Sequence, residues 1–502
     1  MADVWPVDRV IVLGGGSAGF MAALALKRKL PALAVRVIRS KEIGVIGVGE
    51  GSTPPMTTFL HDFLQVGEKR FFETARPTWK LGLKFLWGER PWFHYPFGPH
   101  LEVAPPGLGR AAGFYCADGE MADETVVSAM MGQERALPRA PGGGGPVMDK
   151  TLLAYHFENE RLVSFFESFA QAIGVEVEDD AVVEVRPNGR GVGGLRLRSG
   201  RDAEADLYVD CSGFASLLLG KTLNEPFVSF KPSLACERAV VGGWERGADE
   251  PIRPYTTCET MDAGWCWRID HETRINRGYV YSSAFISDDE AEAEFRRKNP
   301  GVADTRVVRF VSGRYERAWV GNVVAIGNAA GFVEPLEASS LGVIAARSKL
   351  LANVLVNCGR EVRPTQVALF NQDNAQNWDS IRDFLAVHYR FNTRLDTPFW
   401  RHCRQHTDLA GAERVVAYYR ENGPDPFWAG PMFGPYEAFG MAAYLALLVG
   451  QRVPYRRSAP PPPTSELKAW DARRRANREQ AARALTVREA LDVMRSPKWR
   501  WA

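Results

Sequence analysis

Glycine spacing near the start of the chain is the first feature with chemical meaning. Gly14-Gly15-Gly16-Ser17-Ala18-Gly19 follows the apolar, β-branched run Arg9 to Leu13 and precedes the alanine- and leucine-rich stretch Phe20 to Lys29. A backbone that must turn tightly and lie against a pyrophosphate needs glycine, and the N-terminus of the next helix then faces the phosphate charge. Strand, glycine loop, helix and a second strand, Ala34 to Ile38, make one βαβ unit of a dinucleotide-binding fold. The acid that usually binds ribose after the second strand is absent. Arg39 and Ser40 stand there instead, so either Arg39 packs on the adenosine, or Glu42 substitutes, or Arg39 is simply exposed.

Two later turns point the same way. Leu207-Tyr208-Val209-Asp210-Cys211-Ser212-Gly213 is an apolar strand running into a small-residue turn, and Val323 to Gly331 reads again as strand, tight turn, then helix. Both bring the chain back to the dinucleotide domain, which is therefore discontinuous. Gly47-Val48-Gly49-Glu50-Gly51-Ser52-Thr53-Pro54 suits a mobile loop lying over a cofactor. Three turns converging on one cofactor describe an FAD protein better than an NAD dehydrogenase. In many flavoprotein monooxygenases the last turn is Gly-Asp; here it is Gly327-Asn328, which keeps hydrogen bonding and drops the charge.

The elements that position these turns are legible more coarsely. Leu152 to Ile173 reads as one long helix, and Val175 to Val185 and Gly194 to Arg198 as strands about a Pro-Asn-Gly turn. Gly142 to Gly145 reads as a flexible loop. From Phe370 onward the pattern is mainly helical. It is punctuated by Pro460 to Pro463, after which Ser465 to Met494 reads as a charged amphipathic helix or helix pair capped by Ser465.

Length and composition suit two or three domains, or one large α/β enzyme with a second lobe: 502 residues, 45% hydrophobic and 24% charged. A formal net charge of +2 gives no electrostatic case for nucleic acid, and Arg473-Arg474-Arg475 reads as a solvated helix face. Seven cysteines, an odd number without a CxxC pair, argue for reduced thiols in the cytoplasm and against a disulfide frame or metal site. No signal peptide is expected from the first residues. The apolar run Met441 to Gly450 is too short to span a membrane.

One segment narrows the class. Trp265-Cys266-Trp267-Arg268-Ile269-Asp270, read alone, is two core tryptophans. Together with the glycine loop it resembles the Trp-x-Trp-x-Ile-Pro mark of flavin-dependent halogenases of the tryptophan halogenase type, with Asp270 in place of proline. Further anchors lie in order along the chain to about residue 455: Gly47 to Pro54, Trp79 to Phe85, Asp210 to Phe214, Gly278 to Ser283, Phe332-Val333-Glu334-Pro335-Leu336-Glu337 and Asp396 to Trp400.

The resemblance implies an α/β fold: an FAD-binding, Rossmann-like domain of the flavin monooxygenase type with an inserted substrate lobe. The FAD domain would cover 1–360, with insertions at about 80–150 and 220–310, and a mainly helical, substrate-covering region would follow over 361–502. It implies that reduced FAD and oxygen turn chloride or bromide into hypohalous acid, which halogenates an electron-rich aromatic. FAD would be held by Gly14, Gly16, Ser17, Ala18, Gly19, Arg39, Val48, Gly49, Glu50, Ser52, Gly327 and Asn328. Lys80 matches the family's catalytic lysine and Glu337 its catalytic glutamate, with Glu334 the structural alternative. Backbone N–H groups of Ser339 and Ser340 would hold the halide. The family's Glu-Ser-Thr-Gly is Glu337-Ala338-Ser339-Ser340 here, so a helper hydroxyl at 338 is missing and halide preference is open to change. Trp265 and Trp267 would wall the flavin off from the substrate. Tyr95 and Phe97, with His94 adjacent, would sandwich an indole. The proline-rich run Pro424 to Glu437 is shorter than the family's and lacks its tyrosine pair, which favours indole or an indole derivative over free tryptophan. A separate flavin reductase is implied, and a homodimer. The rival readings are a flavin monooxygenase that hydroxylates an aromatic and a flavin-binding protein without catalysis.

Overall fold

The computed structural model describes residues 4–44, 49–140, 145–434, 437–456 and 460–500. The chain folds as two compact units. The first comprises Met1–Arg76, Phe157–Phe230 and Phe310–Trp378; the second comprises Pro77–His156, Lys231–Arg309 and Asp379–Ala502.

The first unit is built on a six-stranded sheet in the order Glu176–Asp179, Ala34–Arg39, Arg9–Leu13, Leu207–Asp210, Val323–Ala325 and Trp319–Val320. The pairings are parallel except the last, which is antiparallel. The central strands are mostly apolar and buried, as strands covered on both faces must be. Helix Ser17–Lys29 is buried along most of its length and packs against helices Ser340–Asn357 and Asn159–Ala172. This is the α/β, Rossmann-like arrangement that the glycine spacing implies.

The second unit centres on a seven-stranded, mostly antiparallel sheet: Thr305–Arg309, Arg238–Glu245, Arg274–Tyr281, Gly264–Asp270, Thr256–Met261, Gly82–Leu86 and Phe93–Pro96. Val240, Cys266 and Tyr279 on one face form a core with Ala291 and Phe295 of helix Asp288–Lys298. Phe85 and Phe93, of opposite strand parity, pack on His388 and Gly450 from the C-terminal helices. All seven cysteines are buried thiols. Among the described residues no helix is long and apolar enough to cross a membrane.

Three local expectations are corrected. The stretch 152–173 is not one helix: Ala154–Phe157 is a fully buried strand, and the helix runs only over Asn159–Ala172. Tyr and Phe fit a pleated surface, and pairing with Thr78–Lys80 overrides the helical pattern. Ser465 is not a cap: the last proline, Pro463, occupies the N-cap, the helix begins at Thr464, and the side-chain cap lies further on at Thr486, with Glu489. The third turn does not lead straight into a helix. Gly331–Phe332 first pairs with Gly313–Arg314, and the helix starts only at Ser340, beyond Ala338 in the left-handed region at φ 52°. The expected loop at 142–145 lies mostly outside the described residues.

Candidate functional site

Two groups of residues qualify, one in each unit. In the first, the glycine loop owes its shape to crowding. A Cβ at Gly14 would lie 2.2 Å from the Cys211 carbonyl oxygen, and one at Gly19 would lie 1.9 Å from the Gly14 carbonyl oxygen. Gly327, at φ 72°, brings the third turn within 2.8 Å of the Ala18 Cβ on the same reckoning. All three predicted turns therefore meet. Gly16 is different: nothing lies within 4 Å of the space its Cβ would fill. It caps helix Ser17–Lys29 without a side-chain hydrogen bond, leaving a bare helix N-terminus beside an open cradle. A pyrophosphate fits there. The Ser17 hydroxyl is used on Asn159 (3.2 Å), so Ser17 has only its backbone amide to offer a ligand.

Arg39 is not an exposed side chain. It is paired with Glu167 and, at 3.5 Å, with Asp179, and its Cβ lies where a Cβ on Gly15 would go. It stiffens the loop whether or not it touches adenosine. Glu42 is at the surface, paired with Arg198 at 2.5 Å. Val48 lies outside the described residues. Gly49 takes φ 69°, Ser52 is fully buried, and burial pushes the Glu50 carboxyl up to about 7. Asp210, an anchor of the resemblance at the end of strand Leu207–Asp210, has no role assigned to it from the sequence. Buried, it accepts from the Ser212 hydroxyl (2.6 Å) and the amides of Leu218 (2.8 Å) and Leu219 (3.0 Å), which orders the second turn.

Glu334 and Glu337 are both buried, the first as the N-cap and the second as the last residue of the one-turn helix Pro335–Glu337. Burial does not separate the catalytic candidate from the structural one. Ser339 is the N-cap of helix Ser340–Asn357, again without a side-chain cap, so the two expected halide ligands sit at a helix N-terminus.

The second group includes Lys80, which is 0% exposed at the end of strand Thr78–Lys80. Its Nζ lies 5.5 Å from the centroid of Phe97, whose amide donates to the Leu81 carbonyl at 2.8 Å. Trp265 and Trp267 are two residues apart on one strand and so share a face; both are buried, with ring centroids 6.0 Å apart. Tyr95 and His94 point to opposite faces of strand Phe93–Pro96. His94 is packed between Trp92 (4.6 Å) and Tyr255 (5.6 Å), and burial together with Lys84 holds its pKa down at about 4. Tyr95 instead stacks on His100 at 5.9 Å.

His156 escaped the sequence analysis. Fully buried, it is the cross-strand partner of Thr78, and its Nε2 lies 2.9 Å from the Thr256 hydroxyl. Burial first, then the charge of Lys80, holds its pKa well below normal, so it is neutral. The expected helix over 152–173 hid it, because a helix would not set His156 opposite Thr78. Among the described residues no group of three or more His, Cys, Asp or Glu can hold a metal.

Comparison with known proteins points to one family. Residues 9–462 match the family model described as tryptophan halogenase. The tryptophan 6-halogenase ThaL of Streptomyces albogriseolus is 34% identical over 423 residues, covering 79% of this chain and 78% of the relative. The tryptophan 7-halogenase RebH of Lentzea aerocolonigenes is 31% identical over 447 residues, covering 82% of each. Among solved structures, MibH, a lanthipeptide tryptophan 5-halogenase, superposes with TM-score 0.89 at 41% identity, covering 97% of this chain and 93% of that one.

Proposed function

The chain belongs to the tryptophan halogenase family of flavin-dependent enzymes, and from that premise we propose that it halogenates an indole ring through Lys80, with halide oxidised at the expense of reduced FAD. FAD would be held by the loop Gly14 to Gly19, Arg39, Gly49 to Ser52 and Gly327-Asn328. When bound and reduced, it supplies the electrons with which oxygen converts chloride or bromide to hypohalous acid. A separate flavin reductase would deliver the reduced flavin, as membership of the family implies.

The observation that carries the proposal is Lys80: a primary amine completely removed from water, beside an aromatic ring. Lysine changes protonation readily when desolvated. Such an amine can hydrogen-bond hypohalous acid and keep a diffusible oxidant in place. The ring carbon then takes the halogen, the hydroxide leaves as water with a proton from the Lys80 ammonium, and Glu337 accepts the ring proton and releases it to solvent, from which Lys80 is reprotonated. Trp265 and Trp267 keep flavin and substrate apart. The helix-terminal amides of Ser339 and Ser340 hold the halide.

For the substrate, an indole or indole derivative rather than strictly free tryptophan is supported by the proline-rich run Pro424 to Glu437. There Phe427 is 75% exposed and Trp428 50% exposed. The lanthipeptide relative supports an indole carried on a peptide.

The test is mass spectrometry of enzyme, FAD, a generic flavin reductase with NADH, oxygen, and indole, tryptophan or a tryptophan-containing peptide. It is run with bromide, with chloride and without halide, beside Lys80→Ala. A halide-dependent mass gain that disappears in the variant is expected. Oxygenated product without halide would establish the monooxygenase instead, and tryptophan turned over far better than the other two would overturn the substrate reading.

A further inference from the structure

Asp270 stands where the resembled motif has proline. Proline stiffens a strand end by fixing φ. Here a buried ion-pair clamp occupies the same place. The Asp270 carboxylate is wholly buried and meets the guanidinium of Arg246, itself 1% exposed, while Arg268 donates to it from Nε and Nη2, each at 3.1 Å. Arg246 also donates to the carbonyls of His271 (3.0 Å) and Pro251 (2.7 Å), and Arg268 to Glu250 (2.7 Å). A desolvated carboxylate persists only when paired this fully, and the pairing immobilises the backbone that bears it.

That backbone has a job. The Asp270 carbonyl accepts a hydrogen bond of 2.8 Å from the buried hydroxyl of Thr78. Thr78 lies two residues before Lys80 on the same three-residue strand, hence on the same face. Its cross-strand partner is His156, which is diagonal to Lys80 and anchored on Thr256. We infer that Asp270 is a positioning residue for Lys80: its ion-pair clamp sets the carbonyl that holds Thr78, and Thr78 sets the strand that aims the amine. The inference rests on the proposed role of Lys80. Its consequence is specific. A misaimed amine does not stop halide oxidation; it lets hypohalous acid escape.

The test measures how oxidised halogen is partitioned. Halogenated indole is quantified beside free hypohalous acid trapped by monochlorodimedone, at equal NADH consumption with a generic reductase, for wild type, Asp270→Asn, Thr78→Val, Thr78→Ser and Lys80→Ala. Loss of one buried hydrogen bond corresponds to about a fivefold change. Thr78→Val is therefore expected to lower the ratio of halogenated indole to free acid about fivefold, with their sum preserved. Asp270→Asn should lower it at least as much, and Thr78→Ser should restore it. An unchanged ratio in Thr78→Val overturns the inference, as does a proportionate loss of both products, which marks a merely less folded enzyme. If Asp270→Asn does not fold, the Thr78 pair decides. Continued indole halogenation by Lys80→Ala would sink the role of Lys80 itself, a separate failure.

Discussion

The indole of Trp267 fills the space that a side chain on Gly278 would need. The two are cross-strand partners, and a Cβ built on Gly278 would lie 2.0 Å from the Trp267 ring. The glycine is present for its missing side chain, not for backbone freedom. Gly278→Ala should therefore push the Trp267 ring out of place and cost about 1–3 kcal/mol through overpacking, read from urea unfolding. If the tryptophan wall acts as proposed, the same variant should also lose halogenated product. Unchanged stability would show that the ring has room to move.

The glycine loop separates residues needed for folding from one that faces ligand. Gly19→Ala drives a methyl group into the Gly14 carbonyl and should give little folded protein. Gly16→Ala meets nothing and should fold normally, but it should weaken FAD binding about tenfold, because the methyl group enters the space left for pyrophosphate. Flavin fluorescence titration of the soluble variant measures this.

Glu337→Gln should keep the fold and lower kcat by about 10²–10⁴ as proton acceptance is lost, while Glu334→Gln should change stability more than rate. Single-turnover halogenation and thermal melts distinguish the two. Beside them, Ala338 holds φ 52° without being glycine. Ala338→Gly should relieve about 1 kcal/mol of backbone strain and raise the melting temperature.

Acid should destabilise the protein through buried neutral histidines. The unfolded chain takes up a proton on His94 at its ordinary value of 6.5, whereas the folded chain refuses it until about 4. Between those values the unfolded state binds more protons, so stability is full above 6.5, is lost as pH falls, and levels off below about 4. The contribution of His94 lost between pH 7 and pH 5 is about 2 kcal/mol. His271, lowered to about 3, and His156 act with the same sign. Urea midpoints at pH 7 and pH 5 should show a smaller drop for His94→Phe than for wild type; equal drops would mean that His94 already shares a proton in the fold.

What the amino-acid sequence determined by itself was local. The glycine loop, the strands beside it and the two returning turns were legible because each is set by backbone sterics within a few residues, as the clashes at Gly14 and Gly19 make concrete. The helix expected over 152–173 failed because its first residues are committed to a partner strand more than seventy positions away, and periodicity within a window carries no information about such a partner. The same limit concealed the surroundings of Lys80. Thr78, His156, Thr256 and Asp270 become neighbours only through strand register, which sets cross-strand pairs among residues far apart in the chain. Tertiary structure alone decided that Asp270, which stands in place of the motif's proline, is a carboxylate clamped by two arginines: desolvation forces a buried charge to find partners, and only the folded sheet supplies them.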